Sequence, residues 1–159
     1  MKNIFIIIAV IVTLLYINKG KENSIEKLEE GCNSGNVINC MQLAETVKPD
    51  YITSEKFYKI ACNTHKYAAG CLGVQELYET NLLKDNNYMK TFEYSHKACD
   101  LNISMACVNL SMMYLGGQGT KENPIKAKEY YHKGCDNKTN KICKEYTDLY
   151  NEMGIEYSE

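Results

Sequence analysis

The chemistry most plainly written into this chain is that of sulfur. Eight of its 159 residues are cysteine, at Cys32, Cys40, Cys62, Cys71, Cys99, Cys107, Cys135 and Cys143. They form four close pairs with sequence differences of 8, 9, 8 and 8, and the pairs recur 30, 37 and 36 residues apart. Close cysteines do one of two things: oxidised they crosslink, and as thiolates they ligate a metal. Structural zinc takes cysteines separated by two to four residues, so that both sulfurs reach one ion from a tight turn; seven or eight intervening residues do not fit. His96 and His132 each stand three before a cysteine, on one face of a helix, which outlines the rival Cys/His site. An even count at fixed spacing reads instead as a disulfide framework. Spacing alone proves no connectivity, but its repetition makes within-pair bonding the parsimonious set: 32–40, 62–71, 99–107 and 135–143. No metal and no cofactor is expected.

The elements that must bring those sulfurs together follow from the same period. A repeat near 36 residues is the length of a helical hairpin unit. Three residues after each second cysteine come Leu43, Val74, Leu110 and Tyr146, and seven after it Val47, Tyr78, Tyr114 and Tyr150. Both columns lie on one face of a 3.6-residue helix. Small residues (Gly31, Ala61, Ala98, Gly134) precede each first cysteine, where two backbones approach, and Lys27, Phe57, Tyr94 and Tyr130 stand five before it. Gly116-Gly117-Gln118-Gly119 ends a helix and Pro124 suits a first helical turn. Helices are predicted near 24–32, 37–47, 54–62, 67–80, 88–99, 103–115, 124–135 and 140–152, the first opened by a capping box of Asn23 and Glu26. Each cysteine pair then ties the last turn of one helix to the first turn of the next.

At the amino terminus Lys2 precedes an apolar run from Ile4 to Ile17, interrupted by Thr13 and Tyr16. A basic start and a short apolar stretch describe a secretory signal, although Tyr16-Ile17-Asn18-Lys19-Gly20 lacks a small-residue cleavage pattern. Residues 1–20 are therefore read as a signal peptide or N-terminal anchor, 21–150 as repeats and 151–159 as a tail. The 18 basic residues are all lysine and are outnumbered by 20 acids, which excludes a basic nucleic-acid surface. Export and paired cysteines together imply an oxidising compartment, a periplasmic or secreted location in a bacterium; any membrane contact is through the leader.

These units resemble Sel-one-like repeats, relatives of the tetratricopeptide repeat, in the cysteine-rich form found in Helicobacter. The resemblance is carried by Lys97-Ala98-Cys99-Asp100-Leu101-Asn102, Ala106-Cys107, Leu110, Met113-Tyr114 and Gly117-Gln118-Gly119, and recurs at Tyr130-Tyr131-His132-Lys133-Gly134-Cys135-Asp136. It implies an all-α fold, a short right-handed solenoid of αα-hairpin repeats stapled by disulfides. The second pair departs by one extra residue, and Lys48-Pro49-Asp50 replaces the glycine loop in the first unit. The resemblance also implies penicillin binding with weak β-lactamase activity. Ser24-Ile25-Glu26-Lys27, Ser34-Gly35-Asn36 and Lys138-Thr139-Asn140 nominally supply the serine β-lactamase elements, but the third has Asn for Gly and the first two are too close together. No catalytic residue is named. With all eight cysteines paired no thiolate nucleophile remains, and Glu29-Glu30 splay apart on a helix.

Binding is the ordinary use of a solenoid's long concave face. Thirteen tyrosines fit it, since tyrosine joins an apolar body to a polar tip. Tyr78, Tyr114 and Tyr150 are expected in the core. Tyr58 and Tyr131, one past the packing column, are expected to be exposed and to bind. The expected partner is a protein, a peptide or a cell-wall fragment, with β-lactams as the alternative. Asp100-Leu101-Asn102-Ile103-Ser104 resembles a bacterial glycosylation sequon but coincides with a structural turn.

Overall fold

A computed structural model describes residues 2–83 and 87–135, together with Cys143, Lys144, Thr147, Tyr150 and Asn151. Up to residue 135, seven α-helices are described in order: α1 (Lys2–Asn33), α2 (Val37–Thr46), α3 (Tyr51–Lys59), α4 (Ala68–Glu79), α5 (Tyr88–Asp100), α6 (Ser104–Gly116) and α7 (Pro124–Gly134). The five residues beyond 142 are helical too, and no strand occurs among the described residues. Each helix packs chiefly on its neighbours in the chain, the one-dimensional architecture of a solenoid.

Three helices start by the same device. Asp50, Asn87 and Asn123 each stand twelve residues before a first cysteine, and each side chain accepts a backbone N–H of the following turn, from Thr53 at 3.2 Å, Lys90 at 3.1 Å and Lys126 at 3.0 Å. These caps satisfy donors that a helix N-terminus otherwise leaves orphaned. They begin α3 at Tyr51, three residues before the predicted start. The extra residue of the second cysteine pair is absorbed by a π-helical turn, Ile60–Thr64, which widens the helix around Cys62. At the other end of the repeat, Gly117 and Gly119 hold φ of 62° and 69°, a region that favours glycine. A Cβ on Gly119 would lie 2.1 Å from the Tyr88 carbonyl oxygen, so the loop also needs glycine for close approach to α5.

The buried face of α3, α5 and α7 runs through the positions eight, four and one before the first cysteine. It comprises Ser54, Tyr58 and Ala61, then Thr91, Ser95 and Ala98, then Ala127, Tyr131 and Gly134, an i, i+4, i+7 stripe. Its polar members are satisfied locally: the Ser54 hydroxyl donates to the Ala44 carbonyl at 2.6 Å, and Ser95 accepts from Asn109 at 3.3 Å. Leu43, Val74 and Leu110 pack against this stripe from α2, α4 and α6 and are fully buried. Gly134 lets α7 approach α6, where a Cβ would meet the Ser104 carbonyl oxygen at 2.7 Å.

The first helix departs from expectation. Asn23 and Glu26 open no helix, because α1 is already helical from Lys2 and continues through Gly20. The apolar run upstream propagates the helix, and residues 2–33 contain no proline to stop it. Its last turns join the core through Ile25, Leu28 and Cys32. Among the described residues, no helix is long and apolar enough to cross a membrane.

Candidate functional site

All four cysteine pairs are disulfides: Cys32–Cys40, Cys62–Cys71, Cys99–Cys107 and Cys135–Cys143, with Cα atoms 4.6, 4.7, 4.7 and 5.5 Å apart. These separations are those that a crosslink between two helix ends requires. The sulfurs of Cys99 and Cys135 are thereby taken from the Cys/His alternative. His96 is engaged elsewhere, its Nδ1 lying 3.0 Å from Asp100 Oδ2 and its Nε2 2.7 Å from the Tyr130 hydroxyl.

That hydrogen bond belongs to a set of rungs between successive outer helices. Lys97 donates to Asn63 at 2.8 Å and Lys133 donates to Asp100 at 3.1 Å. The donor stands two before one first cysteine and the acceptor one after the preceding first cysteine, so one contact is used twice. Partial burial works to raise the pKa of Asp100, but hydrogen bonds from Lys133 and His96 outweigh it and hold the carboxyl below its usual value. Beside this rung Tyr130 stacks on Tyr114 with centroids 5.4 Å apart, and Phe92 meets Tyr114 edge-on at 5.2 Å. Burial, then the neighbouring Tyr114, raises the Tyr130 pKa. The arrangement fixes the spacing of α5 and α7; its polar groups are already paired with one another.

The two tyrosines predicted to face a partner do not. Tyr58 is 3% exposed and Tyr131 4%. Both occupy the position four before a first cysteine, which is the centre of the buried stripe rather than its edge. The Tyr58 ring lies against Gly73, where a Cβ would come within 2.6 Å of it, and its hydroxyl donates to Glu45. Burial, then the Glu45 carboxylate, pushes the Tyr58 pKa up to about 12. The Tyr131 hydroxyl donates to the Cys143 carbonyl and lies 2.6 Å from Thr147 Oγ1. These side chains are packing elements. Tyr78, Tyr114 and Tyr150 are buried, as the periodicity predicts.

Among the described residues, the first two serine motifs are not brought together. Ser24 is exposed on α1, whereas Ser34 lies beyond its end and donates to the Gly31 carbonyl at 2.8 Å; ten residues of helical rise put them about 15 Å apart. Lys138-Thr139-Asn140 lies outside the described residues. Asn102 is an exposed turn residue with φ of 65°.

The uncovered surface is elsewhere, at the N-terminal ends of α3, α5 and α7. Ile52, Met89 and Ile125 each stand ten residues before a first cysteine and are 75%, 72% and 83% exposed. One apolar side chain per repeat thus lines the same edge of the solenoid. Tyr88, also exposed, adjoins Met89. At the α3 end the row opens on a cleft of about 290 Å³ lined by Pro49, Asp50, Tyr51, Ile52, Leu82 and Leu83. A second, open cleft of about 560 Å³ lies between α1 and α2, lined by Ser24, Leu28, Met41, Gln42, Glu45 and Thr46. The ten-before column was present in the sequence, but an apolar column says nothing by itself about which way it faces.

With this geometry in hand, two stretches match a family model. Residues 72–103 and 104–138 fit the Sel1 repeat. Two Sel1 repeats lie within residues 72–138. The matched units are α4 with α5 and α6 with α7, so Cys99–Cys107 ties one unit to the next. The fold is similar to that of Helicobacter pylori cysteine rich protein B, with a TM-score of 0.58 over 79% of this chain and 92% of that one, at 21% identity. Among curated proteins the chain is similar to cytochrome c oxidase assembly factor 7 of Xenopus tropicalis, 30% identical over 105 residues, covering 64% of this chain and 42% of the relative. The Drosophila melanogaster homolog of that factor is 44% identical over 46 residues, 25% of this chain and 17% of its own length. The chain therefore spans about two fifths of the frog relative that it matches. These relatives are animal proteins named for cytochrome c oxidase assembly, and they overturn the expectation of a periplasmic or secreted bacterial protein.

Proposed function

We propose that this chain is a protein-binding scaffold that holds a polypeptide along the edge marked by Ile52, Met89 and Ile125, and that it serves the assembly of a larger protein complex. The observation that supports it most is the row itself. Three large apolar side chains are uncovered at equivalent positions of successive repeats, and exposed apolar surface arranged in one place marks an interaction site. A polypeptide is the ligand class that suits evenly spaced apolar knobs, because its own side chains recur along a line. The assembly role is carried over from the names of the animal relatives and rests on that similarity.

The test is site-specific photocrosslinking. A photoreactive residue at position 89 should give adducts whose partner peptide is identified by mass spectrometry, and one at exposed Glu76 on α4 should not. The Ile52→Lys/Ile125→Lys variant should lose the adduct at position 89 with an unchanged circular dichroism spectrum. Equal crosslinking from both positions, or full binding by the double variant, sinks the reading. Hydrolysis of β-lactams is not part of this reading; nitrocefin turnover abolished by Ser24→Ala would add it.

A further inference from the structure

We propose that the N-terminal half of α1 embeds in the hydrocarbon of a lipid bilayer, and that, because the same helix continues without a hinge into the first repeat, it holds the repeats at a fixed height and orientation above the lipid surface. Two observations carry this. Val10, Ile11, Val12, Leu14, Leu15, Tyr16 and Ile17 are all 44–77% exposed, and in an α-helix such consecutive positions point in every direction around the axis. A protein groove covers one face of a helix. A helix that is apolar all round is buried either in the core of a large protein or in a membrane, and the flank of this one points to the membrane.

The C-terminal end of the segment agrees with lipid. The apolar run closes at Ile17 and is followed by Asn18, Lys19, Gly20 and Lys21. Lysines at that boundary reach anionic headgroups, and Tyr16, an amphipathic ring, sits where such rings concentrate. Fourteen residues from Ile4 to Ile17 rise about 21 Å, against about 30 Å of hydrocarbon, so the segment embeds without the length of an ordinary crossing helix.

The second observation is continuity. α1 runs from Lys2 to Asn33 as one helix, and its last turns are fixed to the repeats by Ile25, Leu28 and the Cys32–Cys40 bridge. Eight residues of helix, about 12 Å, separate Ile17 from Ile25. No proline interrupts them. The inference is independent of the partner edge on α3, α5 and α7.

The experiment uses the full chain with vesicles of phosphatidylcholine and phosphatidylglycerol in a flotation gradient. The protein should float with the lipid, and the Val12→Lys/Leu15→Lys variant should stay at the bottom with an unchanged melting temperature. Neutron reflectometry on a supported bilayer of the same composition should show the repeats as one narrow layer, broadened when a six-residue Gly/Ser insert follows Gly20. A chain that remains at the bottom as a monomer or a dimer overturns the proposal, as does flotation that survives the two lysines. An unchanged layer after the insertion overturns the rigid coupling.

Discussion

The Cys99–Cys107 bridge joins α5 to α6, and therefore the two matched repeats, whereas Cys32–Cys40 secures only the first helix to the second. Replacing either pair by alanine opens a loop of about nine residues, and the chain-entropy relation values that constraint at about 2.5 kcal/mol at 25 °C. For a chain of this size that is a fall of about 7 °C in melting temperature if the array unfolds as a unit. The location should decide how the loss is distributed. In a repeat array stability is a sum of unit and interface contributions, so opening the bridge between repeats weakens the coupling itself. Cys99→Ala/Cys107→Ala should lower the melting temperature and raise the ratio of calorimetric to van't Hoff enthalpy above one, because the units then melt separately. Cys32→Ala/Cys40→Ala should leave that ratio near one and speed hydrogen exchange in α1 and α2 only. Identical losses and identical exchange patterns from the two variants would refute the reasoning, and so would a melting temperature indifferent to both.

Three further outcomes follow from named contacts. Gly119→Ala should cost at least about 2 kcal/mol in urea unfolding, because a left-handed conformation is expensive for alanine and the new Cβ meets the Tyr88 carbonyl; a change under 0.5 kcal/mol would count against the loop's close approach. Tyr131→Phe should cost only about 1 kcal/mol, since Thr147 still donates to the Cys143 carbonyl at 2.7 Å, and a much larger loss in the same assay would contradict that contact. Acid should destabilise the fold: the Tyr58 hydroxyl holds the Glu45 carboxyl below its ordinary 4.5, Lys97 does the same for Glu93, and Asp100 lies below 3.8. Groups whose folded pKa is depressed stabilise above their unfolded value, so melting temperature should be level down to about pH 5 and decline as pH falls through the lowered values. A melting temperature that rises across that range would reverse the sign.

Much of the fold could be read from residue spacing because disulfides and small residues recur at the same joint. Leu43, Val74 and Leu110 identify the inner helices, and Gly117 and Gly119 identify the loop, each through a physical requirement that few residues meet. Other features were hidden for reasons equally physical. The stripe of α3, α5 and α7 contains Ser54, Thr91 and Ser95, whose hydroxyls find partners inside the fold, so hydrophobicity alone finds the buried column of Phe57 and Tyr94 and misses the partly polar stripe beside it. That omission is why Tyr58 and Tyr131 are expected outside. The caps at Asp50, Asn87 and Asn123 form a column in the sequence, and they place the start of α3 three residues ahead of the one that hydrophobic periodicity predicts. Ile52, Met89 and Ile125 show the converse problem: a recurrent apolar position marks either core or partner surface, and only the fold distinguishes them. The capping box at Asn23 and Glu26 was locally sound and was overridden by helix already formed upstream.

The placement of the bridges has a mechanical consequence. A polypeptide pulled on by a translocating or folding machine lengthens by the contour it can release. Each bridge withholds the eight or nine residue steps between its cysteines, about 30 Å of extended chain apiece. Since the withheld segments are the joints between helices, tension can unwind individual helices but cannot draw neighbouring ones apart at their linked ends. Reduction would convert the same chain from a ratcheted rod, with four joints locked, into one free to extend along its whole length.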